Sequence, residues 1–410
     1  MKQHPKTVVL LTVLLALGAA AAAAAETVEL LSPGPGDLAA VALVASPGAK
    51  AVELSRDPVA VSWALDADKA LDAAAPFTAE SKEYWVEVTA GDLARGVAVL
   101  TSAPGALVRL NPAAGEKASA ALDPHAFVLT DPAGKAFAAG TGMELIATAE
   151  ELRAAGAPFV EGTAAFRVRA DLGAGTFDLK APGLDAGRYV MHVLDAGSDV
   201  ALTLRTLASD YLHGQRLLVE TALGGGKLAM EINGFVTSPA GRAWPVTFSA
   251  AGKGVYRGAL ELDALEAPAP GLWEVHVAGS GRAAAGPVMR SARSAFNVAV
   301  PSARFDGSAA LHPGGGLGVR LGIETASEGR YEVRGALFGT ADDGALRPIA
   351  VAHGAAYLGA GHGVLELSFD RSLIAASGLA APFEIRDLRL VDQGAMGLLH
   401  RQARGLLISE

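Results

Sequence analysis

The chain has 410 residues, 51% of them hydrophobic, and a formal net charge of −9 at pH 7. That acidic balance argues against nucleic acid and anionic lipid as partners. The absence of cysteine excludes thiol nucleophiles, thiolate metal sites, a lipid-modified cysteine anchor and disulfide bracing, so every module must be held by its core alone.

The chain opens with Lys2 and Lys6, runs uncharged from Val8 to Leu17, and closes an alanine tract at Ala23-Ala24-Ala25-Glu26. A basic start, a short apolar run and a small-x-small site form a secretion signal, so cleavage after Ala25 is expected. The apolar run is shorter than the ~20 residues that span a bilayer, so stable membrane insertion is not expected. Without cysteine, and with heavy use of Ala and Gly, the chain fits a bacterial periplasmic or secreted protein better than a eukaryotic one. Removing 1–25 takes away two lysines and no acid, which leaves the remainder more acidic still.

Residues 26 to 80 are Ala-rich with Pro-Gly breaks such as Ser32-Pro33-Gly34-Pro35-Gly36. They are expected either to add strands to a first module or to form a partly mobile leader. Beyond them, short alternating stretches punctuated by Pro and Gly predict strands at Tyr84 to Val88, Phe166 to Ala170, Tyr189 to Leu194, Leu217 to Thr221, Trp273 to Val277, Tyr331 to Leu337 and Val364 to Phe369. Helical signals are few. Thr148-Ala149-Glu150-Glu151 is a capping box that predicts a helix ending before Gly156, and a second short turn is expected from Ser372 to Ala376 behind Asp370.

Two elements recur in order. Thr130-Asp131-Pro132-Ala133-Gly134-Lys135-Ala136-Phe137 matches Thr237-Ser238-Pro239-Ala240-Gly241-Arg242-Ala243-Trp244, with a looser copy at Thr340-Ala341-Asp342-Asp343-Gly344. Pro presets one turn dihedral and Gly takes the positive one, so each predicts a hairpin. Each hairpin is followed by a Pro corner and an aromatic-led strand: Tyr189-Val190-Met191-His192-Val193, Trp273-Glu274-Val275-His276-Val277 and Phe383-Glu384-Ile385. The recurrence predicts an all-β chain of tandem immunoglobulin-like or prepeptidase-like β-sandwiches with one short helical insert. The expected divisions are 1–25 signal peptide, 26–208 N-terminal sandwich with its Ala-rich leader, 209–300 immunoglobulin-like domain, and 301–410 C-terminal immunoglobulin-like domain.

Motifs for chemistry are missing. The chain has no Gly-x-Ser-x-Gly elbow, no His-Glu-x-x-His and no phosphate loop ending in Lys-Ser/Thr. Gly224-Gly225-Gly226-Lys227 reads as a loose turn. His192 and His276 occupy matching places opposite the aromatic face of their strands, which predicts an outward direction. His353 and His362 flank a predicted hairpin, but no carboxylate completes a metal site there. Asp66-Ala67-Asp68-Lys69-Ala70-Leu71-Asp72 lacks the Gly and the later bidentate acid of a calcium loop and reads as a solvated loop or helix start. Asp342-Asp343-Gly344 is turn chemistry. Of Trp63, Trp85, Trp244 and Trp273, core anchoring is the expectation for Trp85 and Trp273, and Trp244 is the surface candidate for a glycan platform.

Ser81 to Asn111, with Tyr84-Trp85-Val86-Glu87-Val88, Leu93-Ala94-Arg95-Gly96 and Ala103-Pro104-Gly105, resembles the N-terminal part of a bacterial secreted family known as domain of unknown function 4785. Tyr331 to Thr340, Arg347-Pro348-Ile349-Ala350 and Leu388 to Gly394 through His400-Arg401-Gln402 are similar to that family's C-terminal module. Gly254-Val255-Tyr256 through Pro270 to Val275 resembles immunoglobulin-like modules of exported bacterial proteins. The resemblance implies three sandwiches and transfers no catalytic residue.

The expected function is therefore that of a non-catalytic exported protein which binds a protein, peptide or glycan at the bacterial envelope or outside the cell. No catalytic, cofactor-binding or metal residue is assigned, and no cofactor is implied. The densest polar group, Arg389, Asp392, Gln393, His400, Arg401 and Gln402, is either a functional surface or the hydrogen-bonded packing of the last strand. The alternatives are a secreted hydrolase or peptidase-accessory protein and a structural spacer.

Overall fold

The computed structural model describes residues 27–409 apart from 47–53, 70, 72–75, 116–121, 158, 185, 225–230, 284–285 and 314. The expected signal segment 1–25, Asp72 and the expected turn residues Gly225 to Lys227 thus lie outside the described residues. Three separate hydrophobic cores organise the rest, each between two sheets.

The first sandwich packs a five-stranded sheet, in the order Glu83–Thr89, Arg188–Leu194, Leu107–Pro112, Ala164–Val168 and Met143–Thr148, on a four-stranded one. Tyr84, Phe127, Phe166 and Phe177 fill the space between them. The helix predicted at Thr148 runs Ala149–Ala154 with its capping box in place. A helix at Ala90–Arg95 was not expected, although Thr89 and Asp92 form a capping box of the same kind. The helix-unfavourable Gly91 hid that signal. Arg371–Ser377 is helical behind Asp370, as the second turn signal indicated, and ends on Gly378 in the left-handed conformation.

The second sandwich pairs a sheet built on Arg216–Leu223 and Leu202–Thr206 with one built on the long strands Trp273–Ala283 and Gly286–Ala299. The third sets a three-stranded sheet, Ala303–Pro313, Gly316–Thr325 and Gly361–Asp370, against a six-stranded one. The turns of the three repeated hairpins have one geometry. Asp131 N–H bonds Lys135 C=O, Ser238 N–H bonds Arg242 C=O and Ala341 N–H bonds Ala345 C=O, each at 2.9 Å. Gly134, Gly241 and Gly344 take φ of 86°, 83° and 80°.

Residues 26 to 80 correct the expectation that they extend the first module. Thr27–Leu30 pairs antiparallel with Gly397–Ser409 at one edge of the six-stranded sheet, and Val59–Ala64 pairs with Leu346–Leu358 at the other. Between these strands Leu38 enters the third core and exchanges two backbone hydrogen bonds with Arg401. Thr78–Ser81 then joins the second sandwich beside Leu202–Thr206, a strand that the expected division at 208 assigned to the first module. The reason is edge chemistry: the long C-terminal strands leave rows of unpaired backbone groups on both flanks, which these short strands cover on the inner side.

Candidate functional site

The polar group at the C-terminus is divided by the strand period of two. His400 and Gln402 face the N-terminal segment. His400 Nε2 lies 3.1 Å from Gln402 Oε1, Gln402 Nε2 donates to Leu31 C=O at 2.7 Å, and the His400 ring meets Phe305 edge to face. Asp392 accepts from the Ser302 hydroxyl and from Gly394 N–H, closing the turn into the last strand. These three residues are packing. Arg389, Arg401 and Gln393 reach the outer face of the six-stranded sheet.

That face is rich in arginine. Cross-strand register places Arg334, Arg389 and Arg401 in one row, and Arg386 and Arg404 in the next. A bulge opposite Gly335, with Asp387 at φ 49°, lets Arg386 and Asp387 both point outward. Asp387 accepts from Arg389 at 2.6 Å and Arg401 at 3.0 Å; Glu384 accepts from Arg386 and Arg404, each at 2.8 Å. Burial pushes both carboxyls up, but the hydrogen bonds and charge of their two arginines outweigh it and hold each below its ordinary value. Each acid thus stays ionised under two cations, and Arg334 adds a guanidinium with no ion pair among the described residues. Arg386 also lies over the Phe338 ring, 4.8 Å from its centroid. A net positive face stands out on a chain of net charge −9.

Toward the Val59–Ala64 edge the face turns apolar. Val59, Val61 and Trp63 are 46%, 39% and 53% exposed on one side of that strand. Trp63 meets the His353 ring edge to face at 5.2 Å, and His353 Nδ1 is 2.7 Å from Glu332 Oε1. Gln393 bridges Glu332 at 2.7 Å to Arg330, whose guanidinium donates to the carbonyls of Ser55 and Asp57.

The remaining candidates disperse. Trp63 is the exposed tryptophan; Trp244, the expected surface candidate, stacks on buried Trp273 at 5.2 Å under Arg242. Trp273 anchors the second core as expected, but Trp85 is half-buried on the outer side of its strand, because Tyr84 takes the core position. His192 and His276 point away from the core but are half-covered, His192 bonded to Glu83 at 2.8 Å and His276 stacked on Phe235. Desolvation holds His276 below the usual histidine value. His353 and His362 sit on different sheets, and His362 is 4.0 Å from Asp306. Asp66 and Asp68 are loop residues beside Lys69 and Arg347. Among the described residues no group of three or more His, Asp or Glu is placed to hold a metal ion.

Comparison with known proteins bears on the whole arrangement. Residues 50–195 match the model for the N-terminal domain of a domain of unknown function, DUF4785, and residues 302–409 match the model for its C-terminal domain. The chain belongs to the DUF4785 family. A DUF4785 family protein from Legionella pneumophila is 21% identical, with 90% of this chain and 98% of that one aligned at a TM-score of 0.74, a likeness of fold. The C-terminal globular domain of an oligosaccharyltransferase from Pyrococcus abyssi and a tetra-tandem repeat of a large adhesion protein align only at TM-scores of 0.14 and 0.17, with 9% and 14% identity, and carry no argument. They cover 54% and 86% of this chain, and 50% and 81% of those chains, respectively. No curated protein matches the chain.

In this DUF4785 protein the N-terminal family match spans parts of all three sandwiches, since it includes Val59–Ala64 and Thr78–Ser81. The arginine face belongs to the C-terminal match, while Trp63 comes from the N-terminal one. Chemically, His353 and Glu332 resemble an oriented base, but no hydroxyl among the described residues is hydrogen-bonded to either. What the face offers instead is guanidinium donors in a fixed array beside an exposed indole, an arrangement suited to holding anionic groups.

Proposed function

We propose that this DUF4785 protein is a non-catalytic exported binding protein that holds an acidic glycan of the bacterial envelope or exterior against the outer face of its C-terminal sheet. The observation that carries this reading is Arg334, without an ion pair among the described residues, in line with Arg389 and Arg401 and separated by His353 from exposed Trp63. Guanidinium forks match carboxylates in plane, and an exposed aromatic ring offers an apolar platform with a polar rim to a sugar ring. The secretion signal in the sequence supports an extracytoplasmic setting. A protein or peptide partner would use the same edge, by adding a strand to Val59–Ala64.

The test is retention of chain 26–410 on immobilised polygalacturonate, against dextran as the neutral polymer and polyglutamate as the acidic peptide. Retention by polygalacturonate alone, weakened by salt and by Arg334→Gln or Trp63→Ala, is the expected result. Equal retention by dextran, or indifference to both substitutions, contradicts the reading. Preference for polyglutamate replaces the glycan with an acidic polypeptide.

A further inference from the structure

The first sandwich carries an outward arginine without an acid. Register aligns Trp85, His192, Arg109 and Ala165 across four strands of the five-stranded sheet, on the face opposite the core residues Tyr84, Met191, Val108 and Phe166. Glu83 is engaged by His192 at 2.8 Å, and Arg109 has no carboxylate at ion-pair distance among the described residues. Its Nε is buried and makes no hydrogen bond. Burial lowers the Arg109 pKa from its ordinary value, against the opposite pull of Glu83. The guanidinium is held instead by Phe159, 4.8 Å from the ring centroid.

Around it lies a cleft of about 680 Å³ lined by Arg109, Asn111, Phe159, Val160, Glu161 and Val190, within the ~300–1,000 Å³ of small-molecule sites. Asn111 Oδ1 accepts from the Thr163 hydroxyl at 3.0 Å, which leaves its amide N–H groups as donors. Val160 is 65% exposed. A buried cationic donor left unmade is costly, and an oxyanion that completes it recovers that cost. The Phe159 ring covers one face of the guanidinium, so a partner must approach in the plane of its donors. Glu161 on the lining disfavours a second negative charge.

We propose that this cleft binds a small organic anion, with the oxyanion on Arg109 and Asn111 and an apolar body against Phe159, Val160 and Val190. Carboxylates and phosphate monoesters share that chemistry, and Glu161 favours the singly charged carboxylate. The site is independent of the arginine face on the third sandwich.

Ligand-observed saturation-transfer NMR on chain 26–410 tests it, with benzoate, phenyl phosphate and benzyl alcohol as probes. Benzoate is expected to bind and benzyl alcohol not, with Arg109→Gln weakening benzoate by about tenfold or more at an unchanged melting temperature. Phenyl phosphate binding more weakly than benzoate supports the carboxylate preference, and the reverse order reassigns the site to phosphate monoesters. Should Arg109→Gln fail to fold, Phe159→Ala, on the loop above the sheet, takes its place with the same expected loss. Silence of both anions, or binding unaltered by either substitution, overturns the proposal.

Discussion

Arg290 Nη2 lies 2.8 Å from Asp195 Oδ2, with 0% and 1% of the two side chains exposed, so one guanidinium of the second sandwich is sealed against the first. Each nitrogen of the fork has a partner: Nε donates to Val200 C=O, Nη1 to Met289 C=O, and Nη2 reaches Ser102 and Ser198 as well as Asp195. Asp195 in turn accepts from the backbone N–H groups of Ser102 and Ala103. A buried pair in which each guanidinium nitrogen and each carboxylate oxygen is hydrogen-bonded ties the second sandwich to the first.

Cutting one half of this pair strands a buried charge. Arg290→Met is expected to cost about 3–5 kcal/mol, read as an earlier first transition in urea denaturation followed by tryptophan fluorescence. The double variant Arg290→Met with Asp195→Leu is expected to recover a large part of that loss, because no unpaired charge remains. A first transition unmoved by Arg290→Met contradicts this account.

The N-terminal segment is expected to hold the third sandwich together although it is made first. Leu38 is 9% exposed against that core, and Leu38→Ala is expected to cost about 2 kcal/mol. Removing residues 27–46 is expected to speed amide exchange in Gly397–Ser409, whose outer edge Thr27–Leu30 covers. Amide exchange measured by mass spectrometry should leave Glu83–Thr89 and Arg188–Leu194 unchanged, and faster exchange there instead would place the segment's role elsewhere.

Stability against pH is expected to fall in two stages on acidification. Desolvation holds buried His400 below the histidine value of 6.5, with Gln402 and Asp37 pulling the other way. The unfolded chain therefore binds a proton below 6.5 before the folded one, and stability drops from there downward. Glu384 and Asp387 are depressed below 4.5 and 3.8, so their contribution is whole above those values and is lost as pH falls through the folded ones. Melting temperatures between pH 8 and pH 3 read both stages. His400→Phe should reduce the first, to which desolvated His276 also contributes, and Glu384→Gln should reduce the second, and a profile unchanged by either would contradict the assignment.

What the amino-acid order determined by itself was local. The hairpins at Thr130, Thr237 and Thr340 share one turn because Gly at the fifth position of each supplies a positive φ, and the helix after Thr148 starts where a hydroxyl and a carboxylate close on each other's backbone. Alternation placed Tyr189, Trp273 and Tyr331 inside. It failed at Trp85, where Tyr84 and Trp85 are both large and only packing chooses between them. Tertiary structure alone decided which sandwich owns residues 26 to 80, which arginines of the last strands share a face, and where Arg290 and Arg109 end. Those outcomes rest on cross-strand register and on contacts such as Gln402 to Leu31, 371 residues apart. No short-range preference of φ, cap or period reaches that far.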